Sequence, residues 1–318
     1  MKKLLLILTL ALPLPAYAIT LAWPVACTLG KDCLIQNYPD RDPTGGMKDY
    51  RCGEDVYEDK HDGVDIRLRD LATMRKGVAV LAAADGTVWR IRDGMEDIAH
   101  TGGGTNQQDC GNAVIVNRDD GYQLIYCHLR KGSVRVKPGD KVITGQTLGL
   151  IGQSGFANFP HLHFAVRAHG KRIDPFDGRE LSEPCSSTPA AGLWATPIAY
   201  QPTALIHDGI TDSVPQKLAV RDTPPQPAAL GTSAPMLAYW FEIMSTRVGD
   251  RLTLSLKAPD GTVLAEKTDT LTKSSPFYFG YIGKRFHAPV PPGTYRANLS
   301  LMRGAVEVVK AERSVAVR

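Results

Sequence analysis

Between residues 63 and 167 the chain is cut into short apolar runs by turn residues. Apolar or alternating character falls at 64–68, 78–82, 86–91, 113–116, 123–127, 134–136, 141–143, 147–151 and 162–166. Asp85-Gly86, Asp120-Gly121 and Pro138-Gly139-Asp140 separate them, and such dipeptides favour turns. A period of two places alternate side chains on opposite faces of a strand. Helical periodicity is nearly absent. The pattern predicts an all-β domain built mainly from antiparallel strands.

The last hundred residues repeat the pattern at 238–243, 251–257, 262–266, 294–301 and 306–309, with Asp260-Gly261 as a hairpin turn. Pro292-Gly293-Thr294-Tyr295 resembles the entry to a late strand of an Ig-like sandwich. A second, smaller β-sandwich (Ig-like) domain is expected there. Composition sets the borders. Residues 1–18 read as a signal peptide, and residues 19–54, rich in Asp, Gly, Pro and Cys, as an irregular segment stapled by disulfides. Residues 55–185 form the strand-rich domain, and residues 186–318 a Ser/Thr/Pro/Ala-rich linker followed by the sandwich. Gly102-Gly103-Gly104 is not a phosphate loop, because no Lys-Ser/Thr follows and no helix begins there; a loop at the rim of a groove is expected.

The leader pairs Lys2 and Lys3 with an apolar run over 4–14 and a small-x-small site at Ala16-Tyr17-Ala18. The run falls short of the roughly 20 residues that span a bilayer, and no Cys follows Ala18, so a cleaved export signal is expected rather than an anchor. No later stretch is apolar enough to span. Export places the chain in a periplasm or outside the cell. The six cysteines, Cys27, Cys33, Cys52, Cys110, Cys127 and Cys185, fit that oxidising setting. Cys110 and Cys127 flank the hairpin around Asp119-Asp120-Gly121 and are expected to pair, as are Cys27 and Cys33. The leader supplies two of 37 basic residues, set against 33 acidic ones. So near a balance argues against a nucleic-acid partner and leaves oligomeric state open.

Two runs carry the chemistry. His61-Asp62-Gly63-Val64-Asp65 reads H-x-G-x-D, and His161-Leu162-His163 reads H-x-H; between them His128 ends an apolar strand. If both runs are extended, each shows its pair of polar side chains on one face, and Gly63 leaves room where imidazoles crowd. Imidazoles and a carboxylate with one position open describe a catalytic zinc site, with further histidines left to move protons. Either run alone is weak. Together they gather four of eight histidines beside predicted strands, whereas His100, His169, His207 and His287 lack such company and read as surface residues.

With these motifs the chain resembles the M23 family of zinc metallopeptidases, the lysostaphin and LytM group that cleaves peptidoglycan peptides. H-x-G-x-D is met by His61, Gly63 and Asp65, and H-L-H-F by His161-Leu162-His163-Phe164. The Y-x-H-L context is met by Tyr126-Cys127-His128-Leu129. The runs 136–142 and 145–149, and Gly152-Gln153-Ser154-Gly155, follow the family's intervening sequence. The match covers roughly residues 55–176. The resemblance implies zinc bound by His61, Asp65 and His163. It implies that His128 and His161 are catalytic, and that peptidoglycan peptide stems are the substrate. The implied fold is an antiparallel sheet floor under a long groove. Ala165 stands where a Glu is usual, and Ala157-Asn158-Phe159-Pro160 where Thr-Gly-Pro is usual, so the loop beside the groove is altered. Asn37 lies upstream, where some members carry a segment that covers the zinc or shapes the groove.

The expected activity is therefore an exported zinc endopeptidase acting on peptidoglycan cross-links. The alternative is a non-enzymatic wall-binding regulator that activates other hydrolases, but no ligand position is lost here. A lipoyl-type carrier, suggested by residues 136–149, lacks the lysine tripeptide such modules need. The N-terminal segment or the sandwich is a further candidate for covering the groove in a precursor.

Overall fold

The computed structural model describes residues 19–53, 58–100, 108–186, 191–222 and 227–318. The leader and the triglycine loop lie outside them. Through the first part of the chain the elements are β1 (Cys33–Asn37), β2 (Val64–Leu68), α1 (Leu71–Lys76), β3 (Ala79–Leu81), β4 (Gly86–Arg92), β5 (Asn112–Asn117), β6 (Tyr122–Leu129), β7 (Lys141–Val142), β8 (Thr147–Leu150), β9 (His161–Ala168) and β10 (Lys171–Ile173). One sheet runs in the order β1-β2-β9-β6-β5-β4-β7, with β10 beside β9, while β3 and β8 form a separate pair. All its pairings are antiparallel.

Most predicted runs become strands within a residue or two. The run at 134–136 does not: Val136 is buried, but Pro138 follows it and offers no amide to continue a ladder. The short helix α1 is capped by Asp70, whose side chain accepts from the Thr73 amide at 2.6 Å.

The segment expected to be irregular is part of the sheet. β1 pairs with β2 in the register Ile35↔Ile66 and Asn37↔Asp65. Ile19, Leu21, Val25, Ile35 and Tyr38 join Ile66, Tyr126, Leu162 and Phe164 in one core. Alternation is hidden in β1 because all five of its residues are buried; a strand covered on both faces reads as a plain apolar run too short to stand out. Cys27–Cys33 and Cys110–Cys127 are disulfides, as expected, and Cys52–Cys185 closes a third.

The second part holds β11 (Ala204–Thr211), α2 (Lys217–Asp222), β12 (Ala229–Leu230), β13 (Met236–Thr246), β14 (Arg251–Lys257), β15 (Val263–Thr270), β16 (Ser275–Arg285), β17 (Gly293–Arg303) and β18 (Val306–Val317). Sheets β11-β13-β16 and β12-β18-β17-β14-β15 share a core that includes Tyr239, Phe241, Leu254, Leu299 and Leu301. Tyr295, at the start of β17, donates its hydroxyl to the Pro291 carbonyl at 2.9 Å. β11 escaped the sequence pattern because Asp208-Gly209 reads as a turn. Here Asp208 is buried and accepts from Tyr239 Oη at 2.9 Å and from Arg313, and a Cβ at Gly209 would stand 3.0 Å from the Trp240 ring.

Candidate metal centre

β2 and β9 are neighbours, with Asp65 opposite His163 and Arg67 opposite His161. Asp65, His161 and His163 therefore share one face of the sheet, while His61 precedes β2. His61 Nε2, Asp65 Oδ1 and His163 Nδ1 form a triangle with sides of 3.1, 2.9 and 3.1 Å. Four ligands at about 2.0 Å around a tetrahedral zinc stand about 3.3 Å apart, so these three atoms are spaced for such an ion. They are also the one His/Cys/Asp/Glu group among the described residues whose atoms converge tightly enough to hold a metal.

The far side of each imidazole fixes which nitrogen is free. His61 Nδ1 donates to the Tyr38 carbonyl at 2.9 Å, leaving Nε2 as a lone pair. His163 Nε2 lies 3.2 Å from Asp62 Oδ1, leaving Nδ1 for the centre. Partners of this kind set the tautomer and raise ligand basicity. Asp62 is held in turn by Arg172 Nε at 3.2 Å. Three lone pairs thus converge on one point, and they call for a cation between them.

Titration behaviour follows that demand. Burial opposes charge on His163, but hydrogen bonds and attraction to Asp62 and Asp65 push it up to about 10. His61 is also raised: burial works against it and Asp65 overrides burial. Asp65, despite desolvation, is held well below the usual carboxylate range by His61 and His161. Asp62 is lowered in the same way by His163 and Arg172.

His128 and His161 behave oppositely. Burial pushes His128 well below the ordinary histidine value and lowers His161 against the pull of Asp65, so both are neutral near pH 7. His128 Nδ1 donates to the Ser154 carbonyl at 2.8 Å, and His161 Nδ1 to the Phe159 carbonyl at 2.9 Å. Each Nε2 is therefore a free acceptor. The two rings lie 4.5 Å apart, and His128 is 6.0 Å from His163. His128 has φ of +62°, a left-handed conformation uncommon outside glycine and concentrated at functional sites. Its amide bonds the Cys110 carbonyl at 2.8 Å, beside the Cys110–Cys127 disulfide.

Gly63 is required by close approach. A Cβ there would stand 2.6 Å from the Phe164 carbonyl oxygen and 2.7 Å from His163 Nε2. Ala165 packs with Ile125, Cys127 and the half-buried Cys110, so its small side chain sits among the disulfide's residues. Asn37 is buried in β1 opposite Asp65.

The five histidine and aspartate positions singled out in the sequence are thus brought together. Four contributors carried no such signal. Asp62 sits inside the motif at a position open to any residue, and the Tyr38, Ser154 and Phe159 carbonyls belong to the backbone. His100 is a correction to its reading as an ordinary surface residue. Its ring lies 5.0 Å from Phe156, and both line a cavity of about 40 Å³ with Asp65, Phe159 and His161. His207 likewise pairs with Glu242 at 3.1 Å instead of standing alone.

Residues 59–175 match the model of Peptidase family M23. Among curated relatives, an uncharacterized metalloprotease of Haemophilus influenzae is 33% identical over 115 residues, 36% of this chain and 20% of the relative. The peptidoglycan DD-endopeptidase ShyA of Vibrio cholerae is 31% identical over 114 residues, 36% of this chain and 22% of that protein. The chain spans about a fifth of the length of these relatives. A solved zinc-containing peptidase of Vibrio cholerae is 25% identical over 44% of this chain and 38% of its own, with a TM-score of 0.29.

Proposed function

We propose, for a chain whose residues 59–175 match the model of Peptidase family M23, that it is a zinc endopeptidase hydrolysing amide bonds in peptidoglycan peptide cross-links outside the cytoplasm. The observation that carries this reading is the convergence of three lone pairs, on His61, Asp65 and His163, beside two imidazoles kept neutral by burial. The donor set and its spacing fit zinc, and bound zinc supplies Lewis acidity toward water and a scissile carbonyl.

The protein's own groups do the rest. Asp65 balances positive charge and orients His61 and His163. His161 Nε2, 3.5 Å from Asp65 Oδ1, accepts the proton of the attacking water, because that carboxylate steadies the resulting imidazolium. His161 then returns that proton to the leaving amine, and His128 Nε2, itself an unprotonated lone pair because Nδ1–H is held by Ser154, takes the second proton of the water as the C–N bond breaks. The Ser154 and Phe159 carbonyls hold both rings in the tautomer this exchange needs.

Peptidoglycan as the substrate class is supported by the name of the Vibrio relative. A direct cross-link in a periplasm is favoured by three disulfides and by the leader-like first 18 residues. Among the described residues no helix is long and apolar enough to cross a membrane. A regulator without catalysis would not need the full ligand set and both neutral imidazoles.

Purified mature protein should release muropeptides from sacculi, lose this on chelation, and regain it with one equivalent of zinc; His163→Ala should be inactive. Stoichiometric zinc with several sacculus chemotypes left intact would sink the assignment. Mass spectrometry of the products identifies the bond cut.

A further inference from the structure

The loop before β9 carries a bulky ring, Phe159, where the resembled family has a glycine-containing turn, and that ring is gripped from two sides. On one side it lies against His161 at a tilt of 33°, with centroids 4.5 Å apart. On the other it meets Phe277 of β16, in the sandwich, edge-on at 5.6 Å. Arg67, 1% exposed and cross-strand from His161, places its guanidinium 4.7 Å from the Phe159 centroid and 5.6 Å from that of Phe277.

A buried guanidinium is costly unless its donors and its charge are met. Here Arg67 donates to Gln36 Oε1 at 2.7 Å and to the Leu68 carbonyl at 3.2 Å, and its face is taken by the two rings. Burial still lowers its pKa to about 9. Gln36 reaches on to the Pro276 carbonyl at 3.5 Å. Phe277 is backed by Arg221, 5.2 Å from its centroid, and Arg221 is locked onto the buried Glu242. Leu34, Ile206 and Met244 close a small apolar core beside these groups, with Phe277 packed against it.

The chain of contact therefore runs from Glu242 through Arg221, Phe277 and Phe159 to the carbonyl that holds His161 Nδ1. We propose that the sandwich positions the catalytic imidazole: Phe277 presses on Phe159 and so keeps the Phe159 carbonyl on His161 Nδ1. Phe277, Phe159 and Arg67 are then positioning residues of the active site, and the second domain is a working part of the peptidase. Without the sandwich the Phe159 ring and Arg67 would face water, and the loop would lose the clamp that sets His161. The proposal rests on the zinc endopeptidase reading for its kinetic consequence, though not for its structural one.

The full-length chain tests it in four forms: wild type, Phe277→Ala, Phe277→Tyr, and Val263→Ala as a sandwich control on an exposed position. Misplacing a reacting group by a fraction of an ångström costs rate more than binding, so Phe277→Ala should lower kcat about tenfold. KM should stay within about twofold and zinc content should be unchanged. Phe277→Tyr, which keeps the ring, and Val263→Ala should match wild type.

The second readout needs no turnover. The His161 Nδ1–H, bonded to a buried carbonyl, should give a slowly exchanging proton resonance that exchanges at least about tenfold faster in Phe277→Ala, as local opening permits. If Phe277→Ala fails to fold, Phe277→Leu, with similar bulk and no ring, takes its place. Unchanged exchange in the variant overturns the proposal even if no sacculus is digested. Equal losses in Phe277→Ala and Val263→Ala, or no rescue by Phe277→Tyr, overturn it as well. An inactive wild type that shows the expected exchange difference sinks only the endopeptidase reading.

Discussion

Replacing Asp62 by alanine is expected to weaken zinc binding about 10- to 30-fold, although Asp62 offers no atom to the metal. Its Oδ1 accepts from His163 Nε2 at 3.2 Å, which fixes the tautomer that frees Nδ1. A hydrogen bond involving a charged partner contributes about 1.5–3 kcal/mol. This one is longer than the usual 2.7–2.9 Å of charge-assisted bonds. Its carboxylate is also 25% exposed, so water replaces part of what is lost. The lower end, about 1.4–2 kcal/mol, corresponds to the stated factor at 1.4 kcal/mol per tenfold. It also falls within the 10- to 100-fold range typical of groups that orient metal ligands. The contact from Asp62 to the half-exposed Arg172 adds little, because surface ion pairs are weak. Asp62→Asn keeps an acceptor without the charge and should lose only about threefold. Competition of the metal-free protein against a chromophoric chelator near neutral pH measures both variants, and thermal melts confirm their folding. A dissociation constant for Asp62→Ala within twofold of wild type would refute the role given to this carboxylate.

Gly63→Ala should cost about 1–3 kcal/mol in a denaturant titration, as overpacking does, and should also lower zinc stoichiometry, because the new methyl faces a backbone carbonyl and the His163 ring. A fully stable, zinc-replete variant would contradict the close approach. Asp174 supplies a pH test. It is fully buried, and desolvation together with Asp177 raises it to about 8 from 3.8; Arg41 offsets this only in part because it bonds Asp177 at 2.8 Å and stays 3.7 Å from Asp174. A raised folded pKa means that stability present below the unfolded value is lost progressively as pH climbs to about 8. Asp174→Asn should melt like wild type near pH 4 and above it near pH 8; the opposite order would show that Asp174 is ionised in the fold.

Much of the centre was legible because its ligands come in short strand segments. A period of two fixes which residues of H-x-G-x-D and H-x-H share a face, and the chemistry of imidazole and carboxylate does the rest. The turns were legible for the same local reason. His128 stood out in the sequence as a histidine ending an apolar strand, but its pairing with His161 could be expected only through the resemblance to a family, because a φ of +62° takes it out of the alternation of β6. β11 and β16 were missed, the first because Asp208-Gly209 imitates a turn, the second because its residues are mostly half-buried and show no clean alternation.

The all-β class, the ligand types and their spacing within each run are properties of the bare chain, since they depend on backbone period and on side-chain chemistry. Which nitrogen of each histidine faces the centre follows from the fold, because that is set by Tyr38, Asp62, Ser154 and Phe159, groups 2 to 101 residues away from the ring they hold. The fold also decided that β1 joins the sheet of β2 and β9 and that Phe277 reaches the loop of His161. Contacts between distant segments carry no period along the chain, so nothing local could announce them.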